Sequence, residues 1–429
     1  MRKVVGVVLV MVLCFSFPGY SQAFPDPFRE PDQNTLAGGL GLTWIDGQPY
    51  TTFTIAPDIS LGKFGIGIYL QLLLDNQNKF TLRKDEYQDG AGILRAIRYI
   101  RYGRKYDPFY ARVGMLEMAS LANGFLMWNY NNGSNYDKRK IGLELDVDMG
   151  TFGFESVVSN LNKLELVGTN IFVRPFQFFM PDALLLKDIR LYGTFVMDRG
   201  VAVRQDSTSN VQAFGFGADL HWLDYPFIKS FIYADFGKFQ GYGSGKAVGI
   251  TAIVPELGGF LGLAAKFEKR FINEQFIPNF FGPMYDLSRF PTPNLNVFQR
   301  LKNAPKSEGY FGQLAGHIAQ KIRIIGNFQR LNGRKYSGIL HLEASAPDLI
   351  PNINLRAYYD KSNIESFRDV RTLDINSIST VEISYQLNRF MWLTAIYRWY
   401  WIEYVEDGIK MYRPIERFEP RITFSYTFQ

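Results

Sequence analysis

Three histidines offer the most familiar chemistry in this chain: His221, His317 and His341. Asp219 stands two residues before His221, and Glu343 stands two residues after His341. Residues two apart on a strand share a face, so either pair could begin a metal site or an acid–base pair. Neither has a third ligand in view, and polar residues lining a watery wall explain both. No local serine motif supports a hydrolase. GYGSGKAV (241–248) resembles a phosphate loop but has three residues between its outer glycines, and Ala247 where a hydroxyl should follow the lysine. It reads as a hairpin loop. Asn132-Gly133-Ser134 matches a glycosylation sequon, a three-residue pattern that carries little weight alone.

A basic run is more informative: Arg95, Arg98, Arg101, Arg104 and Lys105, with Arg112 on the next strand. In a confined, partly dry space these cations set a positive field that biases which ions enter. The alternative is wall filling, with the same cations paired to Glu117, Glu144, Asp146 and Asp148 on neighbouring strands. No catalytic residue, metal site or cofactor follows from these patterns, and the chain reads as a non-enzyme.

The elements that carry these residues alternate with period two. In KIGLELDVD (140–148), Ile141, Leu143, Leu145 and Val147 alternate with Lys140, Glu144, Asp146 and Asp148. TVEISYQLN (380–388), NINLRAYYD (352–360) and the terminal RITFSYTFQ (421–429) repeat the pattern, and IRLYGTFVMD (189–198) and AFGFGADLHW (213–222) follow it more loosely. Period two means strands with one apolar and one polar face. A sandwich would turn the apolar face inward, a membrane barrel outward, and alternation alone does not choose. GILRAIRYIRYG (92–103) mixes period two with helical spacing, leaving a short helix in the lumen as an alternative there.

Residues 1–23 read as an export signal: Arg2 and Lys3, an apolar run of about 14 residues, and Ser21-Gln22-Ala23 as a small-x-small cleavage site. Cys14, the sole cysteine, lies in that run behind Leu13, which is too large for a lipoprotein site, so the exported chain would carry no thiol or disulfide. Aromatics are 16% of residues and charged residues 21%, which favours strands. No apolar segment beyond the signal reaches the length of a membrane helix, so a membrane location would require strands. The formal charge of +6 falls to +4 without Arg2 and Lys3. An exported chain rarely meets nucleic acid, so anionic headgroups or solutes are the expected partners.

Links between strands alternate between short and long. Asn388-Arg389-Phe390, Pro347–Pro351, Asp224–Phe227 and Met149-Gly150 are short, whereas 118–137, 199–209, 274–307 and 362–377 are long. Gly241–Gly245 and Asn332-Gly333 are short links on the long side. Segment 308–331 could be one strand or two.

With the export signal, the repeated alternations and the aromatic terminal strand in hand, the whole mature chain resembles a Gram-negative outer-membrane β-barrel of the porin-like kind. The resemblance implies an all-β transmembrane antiparallel barrel of about 18 strands (16–20), with short periplasmic turns and long extracellular loops. Residues 1–23 would be the signal peptide, 24–35 a short periplasmic segment and 36–429 the barrel. Phe424, Tyr426 and Phe428 are similar to the aromatic strand signal read by the barrel-assembly machinery, although Gln429 follows where the family's pattern ends on the aromatic. Pore-lining candidates are Arg95, Arg98, Arg101, Arg112, Glu144, Asp146, Asp219, His221, His341 and Glu343. Trp392, Trp399, Trp401 and Tyr404 would sit at the lipid interface. The implied function is diffusion of small hydrophilic solutes with a weak anion preference. A non-conducting barrel plugged by 118–137 or 274–307, serving as anchor in a surface or secretion complex, is the rival, and a barrel hydrolase a weaker one. Association into a homo-oligomer stays open.

Overall fold

The computed structural model describes residues 34–428 apart from 46–47, 76–80, 83–95, 106, 134–139, 205–206, 259, 290–295, 320 and 407–408. The signal segment and Arg95 lie outside the described residues. Among those described, 23 strand segments form one antiparallel sheet. That exceeds the expected count of about 18, partly because long strands are interrupted. Gln48–Ile55 and Asp58–Leu61 keep a single register against Leu70–Asp75 and Phe64–Ile68, and are separated only at Ala56-Pro57 and Tyr69. Proline lacks the N–H that a ladder needs, so the break at Pro57 has a direct cause.

Segment 97–102 is a strand rather than a helix. Its Ile100 is exposed while Tyr99 and Arg101 are buried, so period two wins over the helical spacing there. Segment 308–331 resolves into two strands, Ser307–Ile318 and Ile322–Asn332. The link expected over 199–209 is much shorter, because Ile189–Arg204 and Ser207–Tyr225 extend the hairpin on both sides.

The first strand, Asn34–Ile45, lies between two partners. It pairs with Gln48–Ile55 on one side and with the last strand, Ile409–Phe428, on the other. In the register of that pairing Phe424 is opposite Gly38 and Tyr426 opposite Leu36, the side chains of Tyr426 and Phe428 lying outside the described ones. A Cβ on Gly38 would lie 2.7 Å from the Phe424 ring and 2.7 Å from the Thr54 carbonyl oxygen. Glycine is what lets three backbones approach there.

The polarity of the sheet is the reverse of a soluble core. On Gly142–Asp148 the residues shielded from solvent are Glu144, Asp146 and Asp148. On Leu261–Ile272 they include Lys266, Glu268 and Arg270. The alternate positions expose large apolar side chains: Ile171, Phe214, Phe216, Ile250, Phe267, Leu314 and Phe328. Charge on the sheltered face and a broad apolar surface outside suit an apolar surrounding medium.

A lipid-facing outer wall predicts that Phe216→Arg, at the middle of its strand, lowers stability by about 2–4 kcal/mol in liposomes. Urea titration of folded protein in bilayers measures it. A loss near zero would mean that this wall faces water.

Candidate functional site: a basic cavity beside two infolded links

Two long links at one end of the sheet turn inward rather than away from it. Residues 115–133 bury Leu116, Leu121, Phe125, Met127 and Tyr130. Residues 273–306 bury Phe276, Phe281, Tyr285, Val297 and Leu301. They pack into one apolar cluster with strand residues Val157, Leu166, Val196, Val211, Ala213 and Phe239. Burying a Phe of this size stabilises by about 1.5–3 kcal/mol, so the cluster holds both links firmly.

Backbone bonds join the links to each other. Trp128 N–H donates to the Phe281 carbonyl at 3.2 Å, Phe281 N–H to Leu126 at 3.2 Å, and Asn279 N–H to Phe125 at 2.9 Å. Gly124 makes the turn at the tip, with φ +85° and Trp128 packed where a Cβ would stand.

That tip rests on polar strand residues. Ala122 N–H donates to the Glu155 carboxylate at 2.7 Å. Asn123 Nδ2 donates to the Tyr192 hydroxyl at 2.7 Å, and Lys266 Nζ donates to the Asn123 carbonyl at 2.5 Å. Arg270 reaches Asn279 Oδ1, and Asn279 Nδ2 donates to the Gly124 carbonyl at 2.7 Å. At the base of the links, Tyr130 hydroxyl donates to Asp286 at 2.9 Å, Lys140 bridges Asp286 at 2.7 Å and Glu165 at 2.9 Å, and Arg289 bridges Asp198 at 2.8 Å. Burial raises the Glu165 pKa, but the nearby Lys140 and Arg289 hold its carboxyl below the ordinary value of 4.5.

Beside the tip lies a cavity of about 610 Å³. Its lining is strongly basic. Arg98, Arg101, Arg104, Lys105 and Arg112 form one side, and Lys266, Arg323 and Arg356 come from strands farther along the sheet. Asp58, Glu117, Glu144 and Glu343 are the lining acids, and Tyr99, Tyr110, Trp128 and Tyr358 supply aromatic faces. Ion pairs along it join Arg98 to Asp58 at 2.5 Å, Lys105 to Glu144 at 2.5 Å and Asp146 at 2.7 Å, Arg112 to Glu117 at 3.2 Å and Lys266 to Glu268 at 2.9 Å. Arg112 also stands 4.4 Å from the Tyr99 ring centre. Cations still outnumber acids along the lining.

The expected pore residues therefore divide. Arg98, Arg101, Arg112, Glu144 and Glu343 meet at this cavity, and Asp146 is buried just behind it on Lys105. Asp219 lies elsewhere, ion-paired with Arg190 at 2.7 Å, and His221 stacks on Phe231 at 4.9 Å. His341 is buried behind Trp128 and bonds Asp360 through Nδ1 at 2.9 Å. Among the described residues no three His, Cys, Asp or Glu converge to hold a metal. Trp401 departs from its expected interface position: it is buried, its indole N–H donating to the Ser377 carbonyl at 3.2 Å. Trp392 and Trp399 are half-buried, and Phe424 is exposed on the outer face.

Lys266, Arg323, Arg356, Tyr110 and Tyr358 were not singled out by sequence reasoning. Lys266 alternates with Glu268 and Arg270 in KFEKR, a signal that could have placed it on the sheltered face.

No family model and no curated protein matches the chain. Solved structures do. The BenF-like porin of Pseudomonas fluorescens aligns over 94% of this chain and 99% of its own, at 12% identity and a TM-score of 0.37. The outer membrane protein OpdK of Pseudomonas aeruginosa aligns over 93% of this chain and 99% of its own, at 9% identity and 0.34. CdiB from Acinetobacter baumannii aligns over 92% of this chain at 9% identity and 0.28, and this chain spans 60% of CdiB's length. The chain is thus similar to outer-membrane porins over most of its length. The likeness is distant, and the chemistry of the cavity belongs to this chain's own residues.

Two outcomes follow for the infolded links. Arg289→Ala leaves Asp198 buried without its cation and weakens docking of 273–306 by about 3 kcal/mol. Limited proteolysis should then cleave within that link while the sheet stays resistant; unchanged protection would contradict the latch. For pH, a depressed carboxylate contributes stability that is complete above 4.5 and lost as pH falls through its lowered value. Protection of the link should therefore hold steady from pH 8 to 5 and decline only in stronger acid; a decline between 8 and 6 would contradict this.

Proposed function

We propose that the chain is an outer-membrane β-barrel channel through which small hydrophilic solutes diffuse, with a preference for anions. The observation that carries this reading is the sheet's reversed polarity: charge on the sheltered face, large apolar side chains outside. Pairing of the first strand with the last supports a sheet that closes on itself. Closure is what strands need in lipid, where an open edge would leave backbone groups unbonded. On this reading the interrupted segments merge into a ring of about twenty strands, an even number as such barrels require.

The start of the first strand, the end of the last and most of the short turns fall at one rim, including 149–151, 226–227, 351–352 and 389–390. The long links 115–141, 273–306 and 365–376 fall at the other. That layout is the one expected of short periplasmic turns and long outer loops. A solute entering from the long-link side would pass the infolded tip and meet the basic cavity. Low dielectric there weakens screening, so the excess of arginine and lysine lowers the barrier for anions more than for cations.

A second reading is favoured by one observation. The two links share a tight apolar cluster inside the sheet, so the resting barrel could be sealed and serve as an anchor.

Anion preference is tested by reversal potential across a salt gradient. Arg98→Ala combined with Arg101→Ala should move the reversal potential toward that of cations by several millivolts. No shift, with wild-type conductance retained, would remove the basic wall from ion selection.

A further inference from the structure

One link at the short-turn rim breaks the rule of that rim. Residues 174–188 run for 15 residues between Leu166–Val173 and Ile189–Arg204 and contain only two short helical turns, Phe176–Phe179 and Leu186–Asp188. Its composition is RPFQFFMPDALLLKD, and its apolar side chains are not tucked away. Phe179 is 83% exposed and Leu184 84%, with Phe178, Met180, Leu185 and Leu186 exposed as well. In water such a cluster is costly to leave uncovered.

Both ends of the link are held. Arg174 bridges the buried Asp148 at 2.9 Å, and Leu186–Asp188 packs against Ser207–Tyr225. The segment is therefore a docked element that presents apolar residues outward.

We propose that this link lies in the lipid boundary at the short-turn rim and anchors the barrel there, its Phe and Leu side chains inserted among acyl chains. The inference rests on the membrane reading above. Its support is continuity. Ile171 and Leu191, on the strands that the link joins, are exposed on the same outer wall, and the neighbouring turn adds Tyr225 stacked on Phe227 at 5.6 Å. Exposed apolar residues also recur at other turns of the same rim, Phe152 beside the link and Phe260, Ile350 and Phe390 farther round. A lipid boundary meets a barrel on all sides, whereas a second copy or another protein would cover one side only. Apolar short helices at the headgroup level gain free energy in proportion to the area they insert.

The test uses the full chain with Cys14 replaced by Ser, refolded in phosphatidylcholine vesicles. One spin label is attached at Leu184→Cys, and in separate samples at Phe179→Cys or at Phe216→Cys on the outer wall. Collision with oxygen, which concentrates in lipid, is compared with collision with a water-soluble nickel chelate. The proposal expects the labels at 184 and 179 to favour oxygen, as the label at 216 does. If 216 favours oxygen while 184 and 179 favour nickel, the link projects into water and the anchor is overturned. If 216 itself favours nickel, the membrane reading fails and the anchor falls with it.

Discussion

Charge buried in pairs holds this structure in register. Arg190 sits opposite Asp219 on the next strand and is bonded to it at 2.7 Å, with neither side chain reached by solvent. Glu419 receives Arg398 from the neighbouring strand at 3.1 Å, while along single strands Lys266, Glu268 and Arg270, and likewise Arg417, Glu419 and Arg421, neutralise one another. Separating such a pair leaves a buried charge that costs several kcal/mol. A slip of one residue would exchange faces along a whole strand, carrying Arg417 to the outer wall and Phe418 to the inner one. The outer apolar wall and the polar interior are thus two consequences of one pairing scheme.

The infolded links use a different device. Where they meet the sheet its sheltered face changes character, from Glu155, Asn170, Tyr192 and Asp235 to Val157, Leu166, Val196 and Ala213. Apolar packing fixes the links, and ion pairs at their base and polar contacts at their tip set their position. The cavity is left on the polar side of the tip, where the cations gather. Position and chemistry are thereby separated: one part of the sheltered face holds the links, another lines the basic cavity.

Much of the fold was legible because a half-sheltered strand writes its two faces directly into alternate residues. KIGLELDVD declares its inward acids and outward aliphatics without help from tertiary structure. The direction in which each face points was not legible, since a sandwich and a barrel write the same pattern. Strand lengths were underestimated where hairpins extend past glycine and charge, as at 199–209. Of the site, the Arg98–Arg112 run could be read because it is local. Lys266, Arg323 and Arg356 could not be joined to it, because strands distant in sequence bring them together. Burial of Trp401 was likewise invisible, since Ser377 covers it from another strand.

The central claim is that the lumen conducts with its basic cavity in the path. Single-channel recording of the wild-type chain in a planar bilayer tests it most directly. The account predicts discrete conductance steps and, under a salt gradient, a reversal potential of the sign set by anions. Silence in bilayers where insertion has been confirmed would contradict it, and would mean that the two infolded links seal the barrel.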